Sequence, residues 1–217
     1  MADFHQSSAG RSTSALTLIS LAHGINHAQA ALKPLIYPIV LREFSVGYGE
    51  LGVMLGIASA LGGLLQLAAG ALGTVVRRNL LLGLGNVAVG ISVMIIALAQ
   101  NFAQFFLWNV AARVGGAVQH PVGSSLIAHH FHREQLGLAL ATHFSAGNVG
   151  TALIPVVAAL LISLWGWRIT TALFATPTIL VGLAICAWLN DPRLSHGHAT
   201  ETHNHSFWRH GWEATRN

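Results

Sequence analysis

A chain of 217 residues that is 53% hydrophobic and only 8% charged has too little charge to cover a water-facing surface, for which about 25% is ordinary. Its mean hydropathy of +0.58 points to a polytopic protein embedded in the lipid bilayer. The net charge of +4 is spread thinly over eleven basic residues, which excludes a nucleic-acid binder, and the lone Cys186 excludes an intrachain disulfide.

The opening segment 1–13, "MADFHQSSAGRST", is polar, and the apolar run behind it is long enough to span, so no cleavable signal peptide is read there. Apolar runs recur at roughly 14–41, 48–73, 79–100, 103–128, 136–163 and 168–189, each above the roughly 20 residues needed to cross hydrocarbon. The expected fold is all-α, with six transmembrane helices filling 14–189. The connections "REFSVGY", "TVVRRN", "NFAQ", "FHREQ" and "WGWR" leave no room for a soluble domain. The remaining segment, 190–217, is a polar, His-rich tail.

Basic residues set the expected orientation. With the N-terminus inside, the cytoplasmic segments carry Arg11, Arg77, Arg78, Arg133, Arg193, Arg209 and Arg216, and the outer loops only Arg42 and Arg168. Both termini are therefore expected in the cytoplasm.

The spans carry polar stripes. On the first lie His23, Asn26, His27, Ala30 and Lys33; on the second Ser59, Gly63, Gln66 and Gly70. On the fourth, Asn109, Arg113, Gly116 and His120 follow at spacings that put them on one helix face. The fifth has His143, Gly147, Gly150 and Thr151. Glycine, serine and threonine on such faces are read as contacts that let helices approach. A charge at membrane depth costs more, roughly 2.5–3.5 kcal/mol on insertion scales. His23, Asn26, His27, Asn109, Arg113 and His120 are therefore expected to line a substrate pathway. No span interior contains Asp or Glu, so Arg113 awaits water, freed carbonyls near Pro34 or Pro38, or an anionic group of a substrate. No nucleophile stands with a base, no carboxylates are paired and no phosphate loop occurs, so an enzyme is not expected.

Four local patterns, "GALGTVVRRN", "RVGGAVQHP", "SAGNVGTALIP" and "GWR" at 166–168, taken in order, resemble the amino-terminal six-helix half of a major facilitator superfamily transporter. His23, "PLIYPIV" and "HP" at 120–121 are similar to the fosmidomycin-resistance-type efflux branch. The sequence departs from the pattern at Thr74, where the loop motif has Asp, at Arg77, where it has a second Gly, and at His27, where that branch has an acid. The resemblance implies one half of a secondary transporter of the bacterial inner membrane, moving a small solute or drug-like molecule by alternating access. It also implies a second half, supplied by another copy in a homodimer or by a separately encoded chain. Histidine is able to replace the missing acid as a proton carrier, its ordinary pKa lying near 6.5.

The tail places His196, His198, His203, His205 and His210 close together. Imidazole clusters bind Zn, Ni, Co or Cu, so weak divalent transition-metal binding is expected there and no other cofactor. His129, His130 and His132 lie where they could add ligands. The alternative to a transporter is a membrane scaffold or metal-responsive accessory protein that works through this tail.

Overall fold

The computed structural model describes residues 2–191, with side chains from residue 12 onward. The metal expectation for His196, His198, His203, His205 and His210 therefore lies outside the described residues.

Six helices make up the described chain: α1 (Ala2–Glu43), α2 (Tyr48–Val75), α3 (Arg78–Ala97), α4 (Phe102–Gly116), α5 (Gln119–His130) and α6 (Arg133–Trp188). Local chemistry sets their ends. The Glu50 carboxylate accepts a hydrogen bond from the Gly47 amide at 3.0 Å and closes the start of α2. The Asn101 side chain accepts from the Gln104 amide at 2.9 Å and starts α4. Pro121 lacks the N–H that the Ala117 carbonyl would need, and the helical run breaks at Ala117–Val118 between α4 and α5. Gly166, at φ 74° and ψ 167°, occupies a region that only glycine enters without strain.

That glycine makes α6 two segments. A straight rod of its 56 residues would measure roughly 84 Å, against about 30 Å of hydrocarbon. Instead the chain turns at Gly166. Residues 133–165 lie along α1, where a side chain at Gly150 would strike the Gly24 carbonyl. Residues 167–188 lie along α3, where one at Gly182 would meet the Gly83 carbonyl at 2.8 Å. Small residues here bring the backbones together.

The helices do not coincide one for one with the six expected spanning runs. Among the described residues, three helices are long and apolar enough to cross a membrane: Tyr48–Val75, Arg78–Ala97 and Arg133–Trp188. The polar stripe lowers the apolarity of α1, which also takes in the segment set apart as 1–13. The run expected at 103–128 is divided into α4 of 15 residues and α5 of 12. The runs at 136–163 and 168–189 share one helical element, broken where "WGWR" was read as their connection.

Two apolar clusters form the core. One gathers Leu32, Met54, Val93, Phe105, Ala158 and Trp167. The other gathers Ile19, Leu82, Leu126, Ala139, Val181 and Ile185. In chain order, every element that contributes to both clusters passes polar residues between them: His23 to Gln29 on α1, Asn86 on α3, and His143 and then Thr178 on α6.

Each cluster is closed by an ionic latch at its outer end. Beyond the second cluster, Arg78 and Asp191 are both buried, with Nη2 donating to Oδ1 at 2.8 Å and the Arg78 amide donating to Oδ2 at 2.9 Å. Arg78 Nη1 also donates to Ser125 Oγ at 2.9 Å and touches the His129 ring. Arg78 is thus a structural cation as well as a loop charge. Beyond the first cluster, Glu43 pairs with Arg168 and accepts from Trp167 Nε1 at 2.7 Å. Arg168 lies 4.4 Å from the Trp167 ring centroid and donates to the Ala99 carbonyl at 2.6 Å. This latch holds the chain just past the Gly166 turn.

Breaking a buried pair strands the surviving charge. Asp191→Asn is expected to lower stability by about 3–5 kcal/mol, read as a drop in the unfolding midpoint in one detergent. The Glu43 carboxyl, at the end of α1 beyond the apolar run, is held below its ordinary pKa by the Trp167 hydrogen bond and by Arg168. A depressed folded pKa gives stability that is complete at neutral pH and is lost as pH falls through that folded value. Glu43→Gln should flatten the melting temperature against pH below about 4.3, the ordinary value for Glu. An unchanged acid limb would place the pH dependence elsewhere.

Candidate functional site

The polar layer between the two apolar clusters holds the site. Four imidazoles meet there: His23 and His27 from α1, His120 from α5 and His143 from α6. The His23 ring centroid lies 4.5 Å from that of His27, 5.2 Å from that of His120 and 4.2 Å from that of His143. His23 is 1% exposed and His143 is 0% exposed, whereas His120 is open. The cluster thus runs from the closed interior to an accessible edge.

Geometry on α1 and α6 permits this convergence. His23 and His27 are one turn apart and share a face. Gly147 stands opposite, where a Cβ would lie 2.6 Å from His23 Nε2 and 3.1 Å from His27 Cδ2. Only glycine leaves room for both rings. His27 Nδ1 is 3.1 Å from Thr151 Oγ1, and that hydroxyl donates to the Gly147 carbonyl at 3.1 Å. With the hydroxyl proton so used, His27 Nδ1 is the donor. Its Nε2 is the acceptor in the neutral ring.

Polar atoms in this layer are incompletely satisfied. His23 Nδ1, both ring nitrogens of His143, Ser20 Oγ and Gln119 Nε2 are buried without a hydrogen-bond partner. Native interiors pair nearly all such groups, and an unpaired one costs about 1–3 kcal/mol. Several orphans side by side mark a place that admits water or a ligand.

A second element of the layer is an amide ladder. Asn26 Nδ2 donates to Asn86 Oδ1 at 2.6 Å, and Asn86 Nδ2 donates to Gln119 Oε1 at 3.0 Å. Gln29 Nε2 reaches across to the Phe174 carbonyl at 2.9 Å. These bonds tie α1, α3, α5 and α6 together at mid-depth.

Beside the imidazoles stands Arg113 on α4, exposed on one side. Its stem lies against Gly62 of α2, where a Cβ would fall 2.9 Å from Cγ and Nε. Asn109, one turn earlier, is 5% exposed and donates to the Phe105 carbonyl at 2.8 Å.

Of the residues expected to line a pathway, the structure gathers His23, His27 and His120 into one cluster and sets Arg113 in electrostatic reach of His120. Asn26 instead turns to Asn86. His143, Asn86 and Gln119 complete the layer and were not among the expected lining residues. The signal for Asn86 was its isolation in the apolar run "LLLGLGNVAVG". His143 was visible on the fifth-span stripe but stood among small residues. His129 and His130 are engaged by Arg78 and by the Leu126 carbonyl. Among the described residues, no group of three or more His, Cys, Asp or Glu is placed to hold a metal ion.

Comparison with known proteins gives one consistent answer. The family model described as Major Facilitator Superfamily matches residues 19–217. The Fosmidomycin resistance protein of Escherichia coli strain K12 is 29% identical over 178 residues, covering 80% of this chain and 43% of that protein. The Probable L-galactonate transporter of the same organism is 26% identical, covering 72% of this chain and 34% of its own. The Probable nitrate transporter NarT of Staphylococcus epidermidis is 26% identical, over 74% and 41%. A crystal structure of a bacterial homolog to the human lysosomal transporter Spinster, inward-facing and unoccupied, superposes with a TM-score of 0.76 at 16% identity, over 83% of this chain and 43% of that one. The chain thus spans less than half the length of each of these proteins.

The cluster geometry makes a direct forecast. At Gly147→Ala the new methyl has no space beside His23, which is boxed in by His27 and His143. Overpacking of this kind costs about 1–3 kcal/mol, whereas Gly52→Ala, with nothing within 4 Å of its Cβ position, should stay within about 0.5 kcal/mol. Thermal melts of the two variants in the same detergent measure the difference.

Proposed function

The chain belongs to the major facilitator superfamily, and on that basis we propose that it supplies one half of a secondary transporter that moves a small solute across a bacterial inner membrane by alternating access. In this reading α4 and α5 together make one span and the two segments of α6 make two, giving six crossings with α1, α2 and α3. The seven-to-two excess of arginine on one side supports an orientation with both termini in the cytoplasm. The second half comes from another copy or from a separate chain. Likeness to the fosmidomycin-resistance protein favours an efflux-type relative without fixing the cargo, since the similar proteins carry names with different solutes.

The observation that carries this reading is the polar layer itself. A bundle needing only stability would fill its middle with apolar side chains. Here the middle holds four imidazoles, two of them, His23 and His143, with orphaned nitrogens, next to Arg113, and opens at His120 and Arg113. Polar groups at membrane depth face a protein interior or a water-filled cavity. The pathway is lined by His23, His27, His120, His143, Asn109 and Arg113, with Asn26 bracing it through Asn86.

Water access tests this. In a Cys186→Ser background, single cysteines at Arg113, His120 and Leu153 are exposed to a membrane-impermeant thiol reagent in proteoliposomes. Leu153 is exposed away from the polar layer, and in this reading it faces lipid or the second half. Arg113→Cys and His120→Cys should react readily and Leu153→Cys should not. Equal protection of all three contradicts a water-filled path.

A further inference from the structure

Charge in the middle of the bundle is unbalanced. Of the acidic residues within the described side chains, Glu43 is paired with Arg168 and Asp191 with Arg78, both at helix ends. Glu50 caps the Gly47 amide at the start of α2, and Glu134 lies in the first turn of α6. Between these ends the spans carry two cations, Lys33 on α1 and Arg113 on α4, and no carboxylate. Neither cation makes a hydrogen bond or an ion pair among the described residues.

The two are also neighbours. Lys33 on α1 and Asn109 on α4 border a common space, and Arg113 follows Asn109 by one turn on the same helix. A small cavity lies beside Lys33 and is lined by Asn109, Gln29 and Thr171. Asn109 sits one turn before Arg113, and its amide is tied back to the Phe105 carbonyl. Gly62 lets the Arg113 stem lie flat against α2.

Like charges on adjoining helices repel, and because neither is bonded to an acid or a carbonyl, an anion joining them relieves that repulsion. The guanidinium has a planar fork that matches two oxygens of a carboxylate or phosphoryl group, and the ammonium adds a point charge. Asn109 and Gln29 add polar side chains at the cavity. We infer that Lys33 and Arg113 form a binding site for a small soluble oxyanion, with Arg113 making the bidentate contact and Lys33 supplying the second charge. This rests on the transport reading above and names the charge class of its cargo.

The test uses the full chain in phosphatidylcholine nanodiscs, with ionic strength held constant by chloride. Thermal unfolding is followed with matched pairs of solutes: lactate against lactamide, and benzoate against benzamide, with methylphosphonate as the phosphoryl oxyanion. A ligand that binds only the folded state raises its midpoint. At least one oxyanion should raise it by about 2–4 °C beyond its amide partner or, for methylphosphonate, beyond chloride alone. Arg113→Gln and Lys33→Gln should each remove that difference, and Arg113→Lys should remove most of it. A folded Arg113→Lys carries the comparison if the glutamine variant does not assemble. Failure of every oxyanion to exceed its control overturns the inference, as does a difference that survives both substitutions. Equal stabilisation by a carboxylate and its amide overturns the charge selectivity and leaves the pathway standing; the thiol-accessibility result judges the pathway separately.

Discussion

A polar group at bilayer depth has no bulk water to return to, so each one must find its partner inside the bundle. Backbone amides meet this demand within helices. Side chains meet it through neighbours, and most of the architecture follows from how they do so. Amides pair with amides in the Asn26–Asn86–Gln119 ladder. Hydroxyls return to their own helix, as Thr170 and Thr171 do to the carbonyls one turn before. Charges at the ends pair with charges in the Arg78–Asp191 and Glu43–Arg168 latches. Among the groups left over after this pairing are the neighbouring rings of His23 and His143, and the cations Lys33 and Arg113.

This division separates holding from working. The two apolar clusters and the two latches fix the ends of the helices, and the glycine contacts at Gly24, Gly83, Gly150 and Gly182 bring α1, α3 and α6 close. Rigid ends around an under-satisfied middle suit a protein whose middle must exchange partners. The latches also join segments distant in sequence, 113 residues apart for Arg78 and Asp191, so the site is positioned by the whole bundle and not by one helix.

Much of this was legible in the chain. Polar residues at helical spacing on the first and fourth spans gave His23, His27, Arg113 and His120, because a stripe records which face avoids lipid. The turn at Gly166 was visible in "WGWR", since glycine between aromatic and basic residues reads as punctuation. Pairing was not legible. Arg78 reads as a loop cation from its position beside Arg77, and nothing near it in sequence announces Asp191. Asn26 belonged to the right stripe, yet its partner lies on α3, and periodicity on one helix is silent about the facing one. His143 stood among Gly147, Gly150 and Thr151, whose small size masked it as a packing face. The break at Ala117–Val118 lay inside a continuous apolar run. Pro121 there reads as a bend, and only the folded chain shows that it ends a helix.

The uncompensated pair of cations, Lys33 and Arg113, is the claim that gives the polar middle its charge selectivity. Asn109→Asp addresses it most directly, because that position lies one turn from Arg113 and lines the cavity beside Lys33. A carboxylate there replaces the missing anion with an internal one, at the loss of a single hydrogen bond to the Phe105 carbonyl, worth about 1 kcal/mol. The measurement is the unfolding midpoint of this variant in nanodiscs with and without the oxyanion that stabilises the parent chain. The account predicts a midpoint at or above that of the parent in chloride alone, and no further rise with the oxyanion. A lowered midpoint together with an undiminished response to the oxyanion would contradict it.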